Sequence, residues 1–567
     1  RLVAPPGCAV EPLVRAPENV QAARVAFRFV ANDRLELNLT GDISDEDTRS
    51  QPDKTLAINP ALGLLADPMI GYNPVVLQPR FGVSFDERFV TNDPFTTYAS
   101  FEDPINGLET PNISTIMHWG VHGTLDYNLT DNLSLKAIVG HRKFDASFGR
   151  DSDGSPLPIN HTFDRFVHVQ DSYELRLNGQ LFGGRTDWTF GGFQFEANDF
   201  QPNYVILYPG SPILNAQSLI DRIDEQDTDN WAVFAHTVNR ITDALTLTAG
   251  VRYTDDEKTF RVIRAQQATP GVPFLDTTVN AAASRTTPMV SLAYQFADDV
   301  NTYVSWQRGF RGGGFNPRPA TAAQVTSFAP EDLDSYEVGV KTEWLNRTVR
   351  VNLAAFYVEY TDLQLPSVLV SGGTVTFPPL NAGKAHMDGV ELEFQASPGG
   401  GFSFDGAVGY LGFEYDDLGT ADPDFIRAQP LQPGLTAGQR EQNARAAPCK
   451  TCRPLRTPEW TANLGLQYQF PITDHGRITF RADGTYQARV FYSSNNFFRA
   501  SQPAYTLLDA SVGWTSEDES WRVLLSGTNL SDELYLNGAL DFFESLGQNE
   551  GNYGRPREWA LSVRRNF

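Results

Sequence analysis

Arg557-Glu558-Trp559-Ala560-Leu561-Ser562-Val563-Arg564-Arg565-Asn566-Phe567, the last stretch of the sequence, is the most informative guide to its fold. At a period of two, one face of this stretch is mostly apolar and the other mostly polar; the apolar face carries Trp559, Leu561, Val563, Arg565 and Phe567. Such alternation predicts a β-strand. Because a strand that ends on an aromatic residue has no loop to cover its edge, we expect it to pair inside a closed sheet.

The composition of the 567 residues excludes membrane helices but allows membrane strands. Mean hydropathy is -0.33, and no apolar run approaches the roughly 18 residues that a membrane helix needs. Alternating strands keep the average hydropathy low even in a membrane. The net charge of -24 argues against binding to nucleic acid, whose phosphates attract basic surfaces. The acidic side chains indicate either a solubilising surface or an outer surface bridged by cations.

A repeated hairpin, with a short turn at one end and a long loop at the other, organises the chain. Turns such as Thr130-Asp131-Asn132-Leu133 are rich in Asp and Asn, which tolerate turn geometry. Many strand candidates reach the roughly 9–11 residues that a transmembrane strand needs, and one apolar face is clear at Ala462, Leu464, Leu466, Tyr468 and Phe470. Nine hairpins are predicted at 20–44, 115–147, 167–200, 229–258, 285–310, 333–365, 386–416, 459–491 and 504–535, before a strand at 557–567. Extracellular loops are predicted at 45–114, 148–166, 201–228, 259–284, 311–332, 366–385, 417–458, 492–503 and 536–556.

Four segments of the second half carry motifs that occur together in one family. They are Ser305–Asn316, Phe328–Lys341, Asn381–Leu392 and Gly527–Tyr535, and the terminal strand is a fifth. Together they resemble the TonB-dependent outer-membrane receptors, although Arg565 stands where that family prefers an apolar residue. The resemblance implies an all-β fold, a transmembrane antiparallel β-barrel of about 22 strands, in the bacterial outer membrane.

The resemblance also implies a function and a set of partners. The expected function is to bind a scarce bulky solute, such as a ferric siderophore, at the extracellular face and import it to the periplasm. The expected energy source is the TonB-ExbB-ExbD complex, which acts through an N-terminal plug. Trp559, Leu561, Val563 and Phe567 are expected to be the signal for the outer-membrane barrel-assembly machinery, and lipid and lipopolysaccharide are the expected surroundings. The alternative function is that of a passive outer-membrane pore or a surface adhesin.

The predicted strands number nineteen, three fewer than the resemblance implies. Alternation makes strands 20–30 and 557–567 run in the same direction, so they cannot close an antiparallel barrel. We therefore expect either an open seam between them or another polypeptide that fills it, a processed or truncated chain, and a plug that is absent from the sequence. Residues 1–19 are then the remnant of an extracellular loop, and 20–567 form the barrel.

Motifs for catalysis or resident cofactors are missing from the sequence. There is no G-x-S-x-G, H-E-x-x-H or P-loop motif, so we expect no enzyme activity, no cofactor and no metal site. The run Gly309–Gly314 leads into a loop that contains proline, unlike a phosphate-binding turn. His118 and His122 are read as ordinary polar residues rather than a metal pair, and Asp151–Pro156 as a loop turn or a calcium loop.

Two groups of residues are candidates for binding the solute. The first is Arg311, Phe315, Asn316 and Arg318, and the second is Tyr492, Asn495, Asn496, Phe497, Phe498 and Arg499. Both combine rings with amides and guanidinium groups, which can stack on and orient a ligand that contains rings. The competing interpretation is an aromatic girdle beside a solvated turn. Tyr204 and Tyr208 are weaker candidates, and Cys449 and Cys452 are expected to form a local disulfide rather than a metal or redox site.

Overall fold

A large antiparallel sheet of nineteen long strands dominates the computed structural model. The structure describes residues 19–50, 53–61, 65, 71–211, 219–266, 272–319, 321–367, 369–371, 374–376, 379–430 and 437–566. The strands are β1 Asn19–Asn32, β2 Leu35–Thr48, β3 Ser114–Thr130, β4 Leu133–Asp151, β5 Asn160–Leu181, β6 Thr186–Leu207, β7 Leu219–Arg240, β8 Leu245–Gln266, β9 Pro273–Ala297, β10 Val300–Arg311, β11 Glu331–Trp344, β12 Val349–Pro366, β13 Pro379–Gly399, β14 Phe402–Asp417, β15 Trp460–Ile472, β16 Gly476–Gln487, β17 Tyr505–Thr515, β18 Trp521–Thr528 and β19 Glu558–Arg565.

Each long strand pairs antiparallel with the next one along the chain, from β1 to β19. The predicted count of nineteen strands is confirmed, and several strands extend beyond the predicted hairpins. β5 begins at Asn160 and β7 at Leu219, so part of each lies in a segment predicted to be a loop. In the described residues of the two edge strands, β1 has a ladder only with β2, and β19 only with β18. The predicted remnant at 1–19 lies outside the described residues apart from Asn19.

Side-chain alternation gives the sheet an outer face that exposes a band of apolar groups. On β15, Leu464 and Leu466 are both exposed, on the face predicted from the sequence. The opposite, inner face carries ion pairs such as Arg28 with Glu36 on β1 and β2. An exposed apolar band of this extent is typical of a surface that lies in lipid. No helix in the described part of the chain is long and apolar enough to span a membrane.

The terminal strand shows how the outer face packs. Trp559, Leu561 and Val563 are 63%, 70% and 59% exposed, and the Trp559 ring covers Gly527 on β18, where a Cβ would lie 2.7 Å from it. The guanidinium of Arg565 lies 5.0 Å from the centroid of the Trp521 ring. Arg565 can therefore occupy an apolar position because its cation lies against an aromatic ring. Phe567 lies outside the described residues.

Shorter elements fill the end of the sheet that carries the long loops. The short strands are Lys54–Ile58, Glu102–Asp103, Leu108–Glu109, Gly314–Phe315, Ser327–Phe328, Leu369–Ser371, Thr374–Thr376, Val490–Phe491, Ser501–Gln502, Leu536–Phe542 and Gln548–Tyr553. The α-helices are α1 Gln78–Phe81, α2 Pro423–Ala428, α3 Ala437–Ala446 and α4 Phe543–Leu546, and Asn73–Leu77 is a π-helix. Single 3₁₀ turns occupy Glu87–Phe89, Ala322–Gln324, Gly419–Ala421 and Phe498–Ala500 at this end, while Phe182–Gly184 forms the short turn between β5 and β6 at the opposite end.

Part of this end forms a compact unit that we call the cap: the described residues of 53–113, with 152–159, 208–211 and 536–553. Its apolar core consists of Ile58, Leu65, Tyr72, Val76, Leu77, Phe85, Phe89, Leu157, Ile159, Tyr208 and Leu546. Within the cap, strand Gln548–Tyr553 pairs with both Lys54–Ile58 and Leu536–Phe542. The cap therefore joins the loop after β2 to the loop before β19, and so links the two edges of the sheet.

Candidate functional site

A cavity of about 230 Å³ lies on the inner face of β5–β8, close to the long loops. Its lining includes the rings of Phe166, His168, Phe260 and Phe315 and the polar groups of Asp199, Gln201, Asp224 and Gln226. Four of these residues form one row across four strands, since His168 pairs with Asp199, Asp199 with Gln226, and Gln226 with Phe260. Residues paired across strands point to the same face, so the ladder itself places the four side chains together.

Alternation along β7 identifies the face on which the cavity lies. Trp231 and Val233 are exposed outer-face residues, 41% and 43% accessible. Asp224 and Gln226 have the opposite parity along the same strand, so they point to the inner face. The cavity therefore lies on the side of the sheet that carries polar and charged groups.

A loop that folds back over the inner face completes the cavity. The two-residue strand Gly314–Phe315 pairs with Ser327–Phe328, and the Phe315 ring stacks on Phe260 with centroids 5.2 Å apart and planes 13° apart. A Cβ at Gly314 would lie 2.7 Å from the Phe328 ring, so only glycine allows this close approach. The glycine run noted in the sequence thus serves packing, and it is followed by extended backbone rather than a helix.

Buried polar contacts hold that loop in place. Arg264, which is 1% exposed, donates from Nη1 to Asp224 Oδ1 at 2.8 Å and from Nε to the Pro319 carbonyl at 3.1 Å. The Lys258 ammonium donates to the Gly313 carbonyl at 2.9 Å. Arg264 couples the cavity wall to the loop, because it bonds to Asp224 in the wall and to Pro319 in the loop. Removing one partner of a buried ion pair is strongly destabilising.

The cavity can bind part of a large solute. Its volume is below the roughly 300–1,000 Å³ that encloses a drug-sized ligand, so it fits one ring or arm of a larger molecule. The stacked phenylalanines offer a ring face. His168 Nδ1 lies 2.7 Å from Asp199 Oδ1, and Gln226 Nε2 donates to Thr228 at 3.3 Å, so polar groups in the wall are already oriented.

The first group of predicted binding residues is divided by the structure. Phe315 lines the cavity, and Arg318 is exposed on the same loop. Asn316 is buried and serves the loop itself, since Nδ2 donates to the Gln324 carbonyl at 2.9 Å and Oδ1 accepts from the Arg318 amide at 3.2 Å. Arg311 is exposed at the end of β10, opposite Glu331 of β11.

The second predicted group lies beside the cap, and its polar atoms hold loops together. Asn496 accepts from the Arg453 amide at 2.6 Å and donates to the Arg453 carbonyl at 3.0 Å, while Asn495 donates to the Arg445 carbonyl at 3.1 Å. The Tyr492 hydroxyl donates to the Leu536 carbonyl at 2.7 Å, and burial raises its pKa to about 12.

Arginine and aromatic side chains complete the second group. The Arg499 guanidinium lies 3.9 Å from the Phe497 ring centroid and donates to Asp541 at 3.2 Å. Phe498 is 73% exposed, with the Arg489 guanidinium 5.0 Å from its ring. Phe498 is therefore the ring of this group that presents a large open surface.

The remaining predicted residues lie elsewhere at the loop end or on the inner face. Cys449 and Cys452 are joined as a disulfide beside α3. Tyr208 is buried in the cap, where its hydroxyl donates to the Leu546 carbonyl at 2.9 Å, and the Tyr204 ring stacks on Phe163. His118 and His122 lie on β3, and neither belongs to the one group of potential metal ligands found in the described residues.

The sequence does not identify several of the lining residues, because the loops that it predicts are longer than those in the structure. Phe166 and residues 201–226 were assigned to the loops 148–166 and 201–228, whereas the structure extends β5, β6 and β7 through most of them. In the segment 223–227, neither alternating set of side chains is apolar, so the sequence pattern predicts no strand around Asp224 and Gln226. Register with β6 and β8, rather than alternation, identifies these residues as part of the wall.

Comparison with known proteins supports the same architecture. The family model described as TonB dependent receptor-like, beta-barrel, matches residues 51–530. The pesticin receptor of Yersinia enterocolitica is 27% identical over 371 residues, which are 65% of this chain and 47% of that protein, so the match spans about half of the relative's length.

Solved structures show the same fold. The ferric yersiniabactin uptake receptor FyuA from Yersinia pestis matches with a TM-score of 0.71 and 17% identity, over 97% of this chain and 71% of the other. The siderophore receptor PiuA from Acinetobacter baumannii matches with 0.68 and 15%, over 97% and 74%. The ferripyoverdine receptor of Pseudomonas aeruginosa, bound to ferripyoverdine, matches with 0.62 and 16%, over 97% and 65%.

Proposed function

We propose a function from one premise: the chain belongs to the TonB-dependent receptor family, whose members are β-barrels of the bacterial outer membrane. The proposed function is to bind a ferric siderophore or a similar bulky solute at the outer, long-loop end and to import it to the periplasm. The energy comes from the TonB-ExbB-ExbD complex, reached through a plug domain. Trp559, Leu561, Val563 and Phe567 form the proposed signal for the barrel-assembly machinery, and lipid and lipopolysaccharide surround the outer face.

The observation that carries this proposal is the cavity on the inner face of β5–β8. It lies at the end where a solute arrives from outside, and it faces the inside of the sheet, along which a solute must pass. Its stacked pair, Phe260 and Phe315, offers a ring face beside the oriented side chains of His168 and Asp199. Relatives and structural neighbours that are siderophore receptors support ferric siderophores as the solute class.

Binding of ferric siderophores to the purified chain tests the proposal. Ferric yersiniabactin and ferripyoverdine are suitable probes, with the iron-free siderophores as references, and quenching of the nine tryptophans reports binding. We expect a ferric probe to bind more tightly than its iron-free form. Phe315→Ala should weaken that binding about tenfold, because an aromatic contact with its buried area contributes about 1.5 kcal/mol or more.

A matched control separates loss of the site from loss of the fold. Phe190 is an outer-face ring, 56% exposed, on β6 nearer the short-turn end than the cavity-lining residues Asp199 and Gln201. Phe190→Ala removes the same side chain from the lipid face, so we expect it to leave affinity unchanged. Equal affinities of Phe315→Ala, Phe190→Ala and the parent chain would contradict the placement of the site, and failure of every ferric probe to bind would contradict the solute class.

Uptake of radioactive iron by cells tests the transport step. A strain that lacks the chromosomal gene should lose uptake of the siderophore that binds in vitro and regain it with the full-length gene. Dissipating the proton gradient should abolish uptake but leave binding at the cell surface. Uptake that continues without the gradient would instead indicate a passive pore.

A further inference from the structure

A buried cluster of two carboxylates and one imidazole lies beneath the cap and outside the cavity. Asp151 ends β4, Asp153 follows in the next loop, and His161 is the second residue of β5. All three side chains are 0% exposed. Asp151 and His161 are partners in the β4–β5 ladder, so they point to the same face, and the potential ligand atoms of all three residues lie within 4.8 Å of one another.

His161 supplies the strongest evidence that this cluster binds a ligand. Both of its ring nitrogens are buried, and neither has a hydrogen-bond partner in the structure. Leaving a buried polar group unpaired costs about 1–3 kcal/mol, and native proteins rarely do so without a bound water, ion or functional reason. A ligand that accepts an electron pair would satisfy one of the two ring nitrogens.

The two carboxylates are hydrogen-bonded but lack a counter-charge. Asp151 Oδ1 accepts from the Asp153 and Gly154 amides at 3.0 and 3.2 Å, and Asp153 Oδ1 accepts from the Ser155 amide at 3.1 Å. No ion pair among the described residues involves Asp151 or Asp153. Buried carboxylates are normally paired with a cation or coordinate a metal. The carboxylates are nevertheless well oriented, because Asp151 Oδ2 accepts from the Ser100 amide at 2.8 Å and Asp153 Oδ2 accepts from the Asn160 amide at 3.0 Å. Each of these oxygens retains a second lone pair.

We propose that Asp151, Asp153 and His161 bind one divalent transition-metal ion, of which Zn²⁺ is the representative, and that this ion fastens the cap to the sheet. The ion supplies positive charge to the two carboxylates and accepts the lone pair of one imidazole nitrogen. A set of one nitrogen and two carboxylate oxygens suits zinc and its neighbours, whereas calcium and magnesium take oxygen ligands only. The imidazole therefore argues against the calcium loop that the sequence suggested at Asp151–Pro156.

The position of the cluster explains why such an ion would stabilise the cap. The Ser100 amide comes from one cap segment, and the Thr55 hydroxyl donates to the Asp153 carbonyl from another. Gln548 donates to the Ser152 carbonyl at 3.0 Å from the strand before β19. Three segments of the cap thus meet at the loop between β4 and β5, and an ion there would hold that loop in one conformation. Ligands that share one zinc lie roughly 3.3 Å apart for bonds of about 2.0–2.1 Å, so ligand atoms that lie within 4.8 Å of one another need to close by up to about 1.5 Å.

Metal titration of the full chain, without any siderophore, tests the proposal. After chelator treatment we expect the chain in detergent to bind one equivalent of Zn²⁺ and to reject Ca²⁺ in the same assay. Asp153→Asn and His161→Gln should each weaken zinc binding at least tenfold, since each removes one ligand. Bound Co²⁺ should give visible absorption that is lost in His161→Gln.

A control and a folding check keep the test decisive. His122→Gln changes an exposed histidine on β3 and should bind zinc as the parent chain does. Heat-modifiable migration in gels establishes that each variant is folded. Zinc should slow proteolysis of the cap in the parent chain and in His122→Gln, but not in Asp153→Asn or His161→Gln. No zinc uptake, equal uptake by His161→Gln, or equal binding of Ca²⁺ would each overturn the proposal.

Discussion

The cap and the cavity both lie at the long-loop end of the sheet, but they use their side chains in opposite ways. In the cap, the Tyr72 hydroxyl lies 2.8 Å from the Pro158 carbonyl, and Arg150 bonds to both Asp53 and Glu550. These groups hold the cap together. In the cavity, Phe260 and Phe315, which are 6% and 7% exposed, stack on each other in the wall beside the partly exposed side chains of His168 and Asp199. The difference indicates that the loop end is divided into a self-supporting unit and an accessible wall.

The largest expected effect comes from the ion pair that ties the cavity wall to its loop. Arg264→Met should destabilise the region of 312–330 by about 3–5 kcal/mol, because it leaves the buried Asp224 carboxylate without its partner. Limited proteolysis of this loop measures the change, and solute affinity should fall with it. Arg308→Met is the matched control, because that arginine pairs with Asp334 but is 47% exposed. Comparable cleavage of both variants would contradict the role of burial.

A smaller effect is expected from one hydroxyl in the cap. Tyr72→Phe should destabilise the cap by about 1–3 kcal/mol, because the Pro158 and Pro209 carbonyls lose the donor that lies 2.8 and 3.0 Å away. Protease cleavage within 71–103 should rise, while solute affinity stays unchanged. Tyr173→Phe, on the outer face of β5 and 48% exposed, should change neither. A fall in solute affinity with Tyr72→Phe would show that the cap and the cavity are coupled.

Stability of the cap should depend on pH through Glu550. Burial raises the pKa of this carboxyl from 4.5 to about 8, and the Arg150 guanidinium offsets only part of that shift. Because the folded cap holds the proton more tightly than the unfolded chain, the stabilisation is complete below pH 4.5 and is lost as the pH rises through 8. The loss is at most about 1.4 kcal/mol per pH unit for one proton.

Proteolysis of the cap at a series of pH values measures this dependence, with a folded reference protein to correct for the protease. Glu550→Gln cannot ionise, so the decline between about pH 4.5 and 8 should disappear in that variant. An identical decline in both chains would assign the dependence to another group.

The sequence was sufficient for the sheet but only partly for the sites. Nineteen strands, their order and the outer face of β15 follow from alternation and turn chemistry, which act over a few residues. The wall of the cavity depends on register between distant segments, as in the pairing of Asp199 with Gln226. The cap depends on contacts such as that of Tyr208 with Leu546, which are 338 residues apart. No local pattern contains either relation. Phe315 is nevertheless among the predicted binding residues, because its segment combines a ring with an amide and guanidinium groups.

The smallest expected effect concerns Phe498, the most exposed ring of the second predicted group. Its ring is 73% exposed, so Phe498→Ala should change stability by no more than about 0.5 kcal/mol. If the solute spans from the cavity to this loop, the variant should weaken binding by about two- to tenfold, less than Phe315→Ala does, because an exposed ring contributes about 0.5–1.5 kcal/mol by stacking. Asn496→Ala is the companion variant, because it removes the contacts to Arg453 that hold two loops together. We expect it to increase proteolysis of these loops, although the Asn496 side chain does not contact the solute directly. Unchanged affinity in Phe498→Ala beside a clear loss in Phe315→Ala would confine the solute to the cavity and assign all of 492–499 to the scaffold.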